Sequence, residues 1–181
     1  MAGSRQEWSY LFQEKLEPHP ELRAITGNGI SSFRVLVLAG RNGIEIARVV
    51  WKIIAGDAIA DNYHFGSTGN LLAGVDPITG RVYRAVQGVG LSLKNIDRHP
   101  KTGLDILGFT IPLWDEVRQH CLLAARSVPM LQWQHWDIAL TKDGPVVLEL
   151  NCEGGVHIVQ IGCGFGLNDP QFRTFFAQNH L

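Results

Sequence analysis

Two apolar runs, SSFRVLVLAG at 31–40 and IEIARVVWKIIAG at 44–56, are separated only by Arg41-Asn42-Gly43. Val, Ile, Phe and Trp suit a pleated, packed surface, and Asn-Gly between two such runs is a strong local signal for a tight antiparallel hairpin. A chain that carries this pair is committed to a sheet. Its remaining segments must supply neighbouring strands or the helices that cover them.

The same pattern recurs. LLAGVD and RVYRAVQ flank Pro77-Ile78-Thr79-Gly80, WDIALTKDGPVVLELN at 136–151 carries Asp-Gly-Pro between two apolar runs, and WSYLFQEKL at 8–16 reads as a further strand. PHPELRAI at 18–25 has Pro20 placed to start a helix. In PLWDEVRQHCLLAARSV at 112–128, Leu113, Val117, Cys121, Leu122, Ala125 and Val128 recur at helical spacing behind Asp115 and Glu116. DPQFRTFFAQ reads as a last short helix begun by Asp169 and Pro170. Residues 61–70 and 88–112 read as loops, and Gly162 to Gly166 as a turn into the last helix. The expectation is one α+β domain over 1–181, a mainly antiparallel sheet with a few helices on one side.

A formal net charge of −1 leaves no basic footprint for a nucleic acid. No run approaches the ~20 apolar residues that cross a bilayer, and the opening MAGSRQEW has no apolar signal core. A cytoplasmic protein without nucleic-acid or membrane partners is expected. Three cysteines, Cys121, Cys152 and Cys163, without CxxC spacing argue against a disulfide framework or a zinc site. Buried free thiols are the default reading, and Cys152 with His157 as base is a thiol-nucleophile alternative.

The hairpin at 136–151 places Asp137, Glu149 and Asn151 where apolar side chains would be expected. Glu149 and Asn151 share a strand face. If Lys142, Asp143 and Gly144 form a three-residue loop, Thr141 pairs with Pro145 and Asp137 falls opposite Glu149; a two-residue loop sends Asp137 to the other face. Opposed carboxylates repel unless a cation lies between them, and these oxygens suit Mg²⁺. A solvent-facing polar strip accounts for the same residues, and spacing alone does not name a metal.

The run HWDIALTKDGPVVLELN resembles the metal-binding hairpin of the ATP-grasp superfamily, most closely its sugar-transfer associated branch, related to glutamate ligases. FQEKLEPHPELRAI resembles that family's hinge strand, ISSFRVLVLAG its arginine-bearing strand, AIADNYHFGSTGN its Asp-Asn-x-His loop, and DRHPKTGLDILGFTIPLWDEV the approach to its helix. The resemblance implies an ATP-grasp C-terminal subdomain, ATP as cofactor, and Mg²⁺ or Mn²⁺ held by Asp137, Glu149 and Asn151. It implies that ATP phosphorylates a small-molecule or peptide carboxylate, and that an amine or similar nucleophile attacks the acyl phosphate.

Arg34 then falls where a guanidinium clamps phosphate, with Lys52 and Arg48 as further basic candidates and Asn62 near the reacting carboxylate. His64 reads as structural. Gln13, Glu14 and Leu16 belong to the hinge expected to meet adenine. Full members carry a lid subdomain ahead of the hinge, which this sequence lacks, and no G-x-x-x-x-G-K-[ST] loop replaces it. Three expectations stay open: the sequence is a fragment of a longer chain, a partner chain or a second copy supplies the lid, or the chain is a module that binds nucleotide or a partner without chemistry. Cys152-Glu153 after the asparagine departs from the family's pattern.

Overall fold

The computed structural model describes residues 12–56, 60–152 and 154–179. Helix α1 (Pro20–Thr26) is capped by the His19 imidazole, which accepts a bond from the Glu21 N–H. Strands β1 (Phe33–Gly40) and β2 (Gly43–Ile53) form the first hairpin, and β3 (Leu71–Val75) and β4 (Val82–Gln87) the second. A two-residue strand β5 (Lys94–Asn95) precedes α2 (Trp114–Arg126), then the hairpin of β6 (Trp133–Thr141) and β7 (Gly144–Asn151), and finally α3 (Val156–Cys163) and α4 (Pro170–Asn179). The seven strands make one antiparallel sheet in the order β5-β4-β3-β2-β1-β6-β7.

Alternation along the central strands sorts their side chains into two cores. Phe33, Val35, Val37, Val49, Trp51 and Ile138 face α1 and α2. Leu36, Leu38, Val50 and Leu72 face Ile158 and Val159 of α3 and Phe172 and Phe175 of α4. Helices therefore cover both faces rather than the one side expected. The added layer is α3, whose VHIVQIGC sequence is rich in β-branched residues and carries no helical capping side chain. It ends at Gly164, whose left-handed φ of 83° closes the helix.

Arg48 on β2 anchors α4. Its guanidinium lies 4.9 Å from the ring centres of both Phe165 and Phe172 and is hydrogen-bonded to Asp169 and Gln171. This side chain is spent on packing at the middle of its strand, four residues before Lys52. The expected strand at 8–16 is absent over its described part. Residues 12–17 have no regular structure, and pairing occurs later, through a Pro18–Thr141 bridge flanked by His19 N–H to Leu140 O and Lys142 N–H to Glu17 O.

The β6–β7 hairpin brings Asp137 opposite Glu149 by a different route from the one expected. Thr141 pairs with Gly144, so the loop is the two residues Lys142 and Asp143. A regular ladder from that turn would place Asp137 against Leu148. Instead the register shifts between Asp137 and Ile138, one extra residue is taken up on β7, and Asp137 pairs with Glu149. Gly144 does adopt the left-handed backbone expected of it, at φ 112°. The first hairpin has the same form, with Gly40 paired to Gly43 and Gly43 at φ 125°.

Trp51 is fully buried, with ring centres of Phe33 and Phe109 each 6.0 Å away, and its indole N–H donates to Ser31 O. Trp51→Ala should lower unfolding free energy by about 3–5 kcal/mol in urea denaturation. The bulge predicts a cross-strand Hα–Hα contact between residues 137 and 149, and none between 137 and 148, in NMR spectra.

Candidate functional site

Arg34 on β1 is directly opposite Asp137 on β6. The next position on the same face is Ser32, and the backbone N–H of Lys52 on β2 bonds to its carbonyl, so Lys52 sits diagonally across from Arg34. Arg34 Nε donates to Asp137 Oδ1 and Nη2 to Oδ2 at 2.9 Å, the bidentate fork of a guanidinium on a carboxylate. Lys52 Nζ lies 3.0 Å from Asp137 Oδ2 and 3.3 Å from Asp61 Oδ1. Asp61 Oδ2 accepts bonds from Ser32 N–H at 2.8 Å and Ser32 Oγ at 2.6 Å.

The result is a buried four-charge cluster, two cations against two carboxylates. Arg34, Lys52 and Asp137 retain 9%, 6% and 2% of their surface. Burial pushes the Asp137 carboxyl up, but the Arg34 hydrogen bonds and the Lys52 charge outweigh it and hold the group below the ordinary carboxylate range.

His135, two residues before Asp137 on the same face, is fully buried. Burial, and then the Arg34 charge, push its pKa down to about 4 against the opposing pull of Asp137, so the ring is neutral near pH 7. Its Nε2 accepts from Trp133 Nε1 at 2.7 Å, which leaves the proton on Nδ1. That nitrogen has no hydrogen-bond partner, and the ring lies against Gly154, where a Cβ would meet it at 2.4 Å.

Glu149 and Asn151 stand on the edge strand, with Asn151 Nδ2 donating to Glu149 Oε1 at 2.9 Å. Among the described residues no group of three or more His, Cys, Asp and Glu side chains is placed to hold a metal ion. The oxygens of Asp137, Glu149 and Asn151 nevertheless fit a hard cation in kind. A carboxylate offers about four acceptor positions. Arg34 and Lys52 take three at Asp137, leaving one on Oδ1.

Of the residues expected at the site, Arg34, Lys52 and Asp137 thus meet, with Glu149 and Asn151 beside them. Asn62 is exposed, and its carbonyl accepts bonds from Thr68 Oγ1 and Asn70 Nδ2. The loop residue that reaches the cluster is its neighbour Asp61, which sequence reasoning missed, although it is the first acid of the Asp-Asn-x-His stretch. Gln13 and Glu14 are exposed and Leu16 half-buried, in a segment without strand pairing. Cys121 and Cys163 are buried, while Cys152 is exposed. No hydrogen bond among the described residues links Cys152 to His157, whose ring is stacked on Phe65.

Because the folded pKa of Asp137 is lowered, its stabilising contribution is present above the unfolded carboxyl value of about 3.9 and is lost as pH falls through the folded value. Asp137→Asn should cost about 3 kcal/mol at neutral pH, because it leaves two buried cations poorly paired. The gap to wild type should narrow in denaturation experiments near pH 3; a gap independent of pH would contradict this assignment.

The family described as sugar-transfer associated ATP-grasp has a model that matches residues 1–173. No curated protein and no solved structure matches the chain. Among the described residues no helix is long and apolar enough to cross a membrane. With a match over nearly its whole length, and with a seven-stranded antiparallel sheet that brings the motif-bearing strands together, the chain belongs to the sugar-transfer associated ATP-grasp family.

Proposed function

We propose that this protein takes part in ATP-dependent activation of a carboxylate, as the portion of a carboxylate ligase that holds the metal and the terminal phosphates. The observation that carries this reading is the juxtaposition on one sheet face of Arg34 and Lys52 with Asp137, opposite Glu149. Two buried cations beside hard oxygen donors answer the two demands of phosphoryl transfer, neutralisation of phosphate charge and a seat for a divalent ion.

Arg34 presents its fork to the transferred phosphoryl group and Lys52 a compact charge to the same region. Asp137, Glu149 and Asn151 hold Mg²⁺ or Mn²⁺, which when bound supplies further charge neutralisation and alignment of the phosphates. The substrate carboxylate attacks the γ-phosphorus, ADP leaves, and an amine or similar nucleophile displaces phosphate from the acyl phosphate. Asp61 fixes Lys52 from the loop side.

The adenine contact is assigned to the backbone at Gln13, Glu14 and Leu16, and cover over the phosphates to a lid subdomain of the kind the family carries. Binding without turnover is a second reading. It is favoured by the cluster's self-neutralised state, in which every charge already has a protein partner.

Calorimetric titration with ATP should give binding that depends on Mg²⁺. Asn151→Ala should remove the metal-dependent part, at least tenfold in affinity, and Arg34→Met should weaken nucleotide binding. Unchanged affinity in Asn151→Ala would sink the metal assignment. ADP release that depends on an added carboxylate and is abolished by Glu149→Gln supports the ligase reading; metal-dependent binding with no ADP release across a panel of carboxylates favours the binding module.

A further inference from the structure

His64, Phe65 and Gly66 are consecutive left-handed residues, with φ of 42°, 53° and 80°. Such backbone is free for glycine and costly for the other two, whose Cβ crowds the following carbonyl. The turn is imposed by its surroundings. Ser67 Oγ donates to His64 O at 2.8 Å, Thr68 Oγ1 to Asn62 O at 2.9 Å, and the Tyr63 hydroxyl to Gly88 O. Gly66 lies so close to Gly88 that a Cβ on it would meet the Gly88 Cα at 2.9 Å.

What folding does not explain is a phenylalanine at position 65. A bulky residue in strained backbone is ordinarily compensated by burial, yet Phe65 keeps 64% of its surface exposed. Its ring lies nearly parallel to that of His157, 4.6 Å between centres and 13° between planes. The imidazole covers one face of the phenyl ring, so the exposed area is its edge and other face. Each ring lies a few residues along the chain from a residue at or beside the ionic cluster. Asp61 precedes Phe65 by four residues; His157 follows, by three residues, the Gly154 that packs on His135, itself two residues from Asp137.

We propose that the Phe65–His157 pair is a stacking platform that binds the flat face of a six-membered ring, aromatic or pyranose, in the small molecule that reacts at the cluster. Aromatic rings stack face to face with a lateral offset at centre distances of about 4.5–7 Å, and the electron-rich face of a phenyl ring likewise attracts the C–H groups on the flat face of a sugar. The strained turn then has a physical reason, since it holds the ring outward before any ligand arrives, and the His157 stack fixes its orientation. Only the identification of this ring with the reacting molecule rests on the phosphoryl-transfer reading.

The test uses the whole chain with ¹³C-labelled Phe and His rings, titrated separately with benzoate and with methyl β-D-glucopyranoside. Saturable shifts of the Phe65 and His157 ring signals are expected with one probe, which also tells an aromatic ring from a pyranose. Phe65→Leu, which keeps an apolar side chain but no ring face, should weaken that binding at least threefold, within the range of about 2- to 12-fold expected for one stacking contact. Absence of shifts with both probes up to their solubility limits overturns the platform, as does equal affinity in Phe65→Leu. Calorimetry of Mg²⁺-ATP on the same wild-type sample reports separately on the phosphoryl-transfer reading, which falls if no nucleotide binds even where the rings respond.

Discussion

Strand β1 is buried on both faces, and the arginine it carries is the constraint around which the rest of this structure is arranged. A guanidinium cannot be left unpaired at that depth, because desolvating it costs several kcal/mol. Asp137 meets it from the adjacent strand with two hydrogen bonds, and Lys52 and Asp61 complete a set of equal and opposite charge. Such a set is a poor way to gain stability, since apolar side chains of similar volume would serve a sheet centre as well or better. It is readily understood where charge is needed for chemistry, and the family to which the chain belongs supplies that context.

The two cores then divide the labour. On the face without the charges, Trp51, Phe33 and the α2 side chains form an apolar layer that fixes the sheet, interrupted by the buried Gln134 amide, which bonds to Ala125 O and to the Trp136 indole. On the other face, the apolar layer under α3 and α4 gives way along the same strands to Ser32, Arg34, Lys52 and Asp137. Arg48 and Lys52 illustrate the division within one strand. Arg48 is enclosed by two phenyl rings and bonded to Asp169, so its charge is committed to holding α4, whereas Lys52 joins two carboxylates that a ligand can compete for.

Much of this was legible in the sequence because hairpins announce themselves locally. Asn-Gly at 42–43 and Asp-Gly at 143–144 mark turns by backbone chemistry, and alternation then assigns faces, which is how Asp137, Glu149 and Asn151 could be singled out, whereas Arg34 stood out only by resemblance to the family's arginine-bearing strand. The turn length could not be read, because Gly144 at positive φ is compatible with two- and three-residue loops, and the compensating bulge has no sequence signature of its own. Asp61 was missed because a loop carries no periodicity, and its place depends on Ser32, 29 residues away. Helix α3 was hidden by its β-branched composition; it is stabilised by packing on β2 and β3 rather than by propensity.

The closed cluster also bears on how the proposed ligands would enter. Arg34 gives two of its five N–H donors and Lys52 two of its three to Asp137 and Asp61, and these cations occupy three of the four acceptor positions of Asp137, so a phosphate or a metal that draws one of these groups out of the cluster loosens bonds already made. An anion arriving alone would draw the cations away and leave a buried carboxylate uncompensated. A metal arriving alone would do the same to a guanidinium and an ammonium. When both arrive, each takes the partner the other has released, and no buried charge is left exposed to the low-dielectric interior. On the proposed reading, the ion pairs of the ligand-free protein are therefore the source of a mutual dependence between metal and phosphate, and the burial that makes an unpaired charge costly sets its strength.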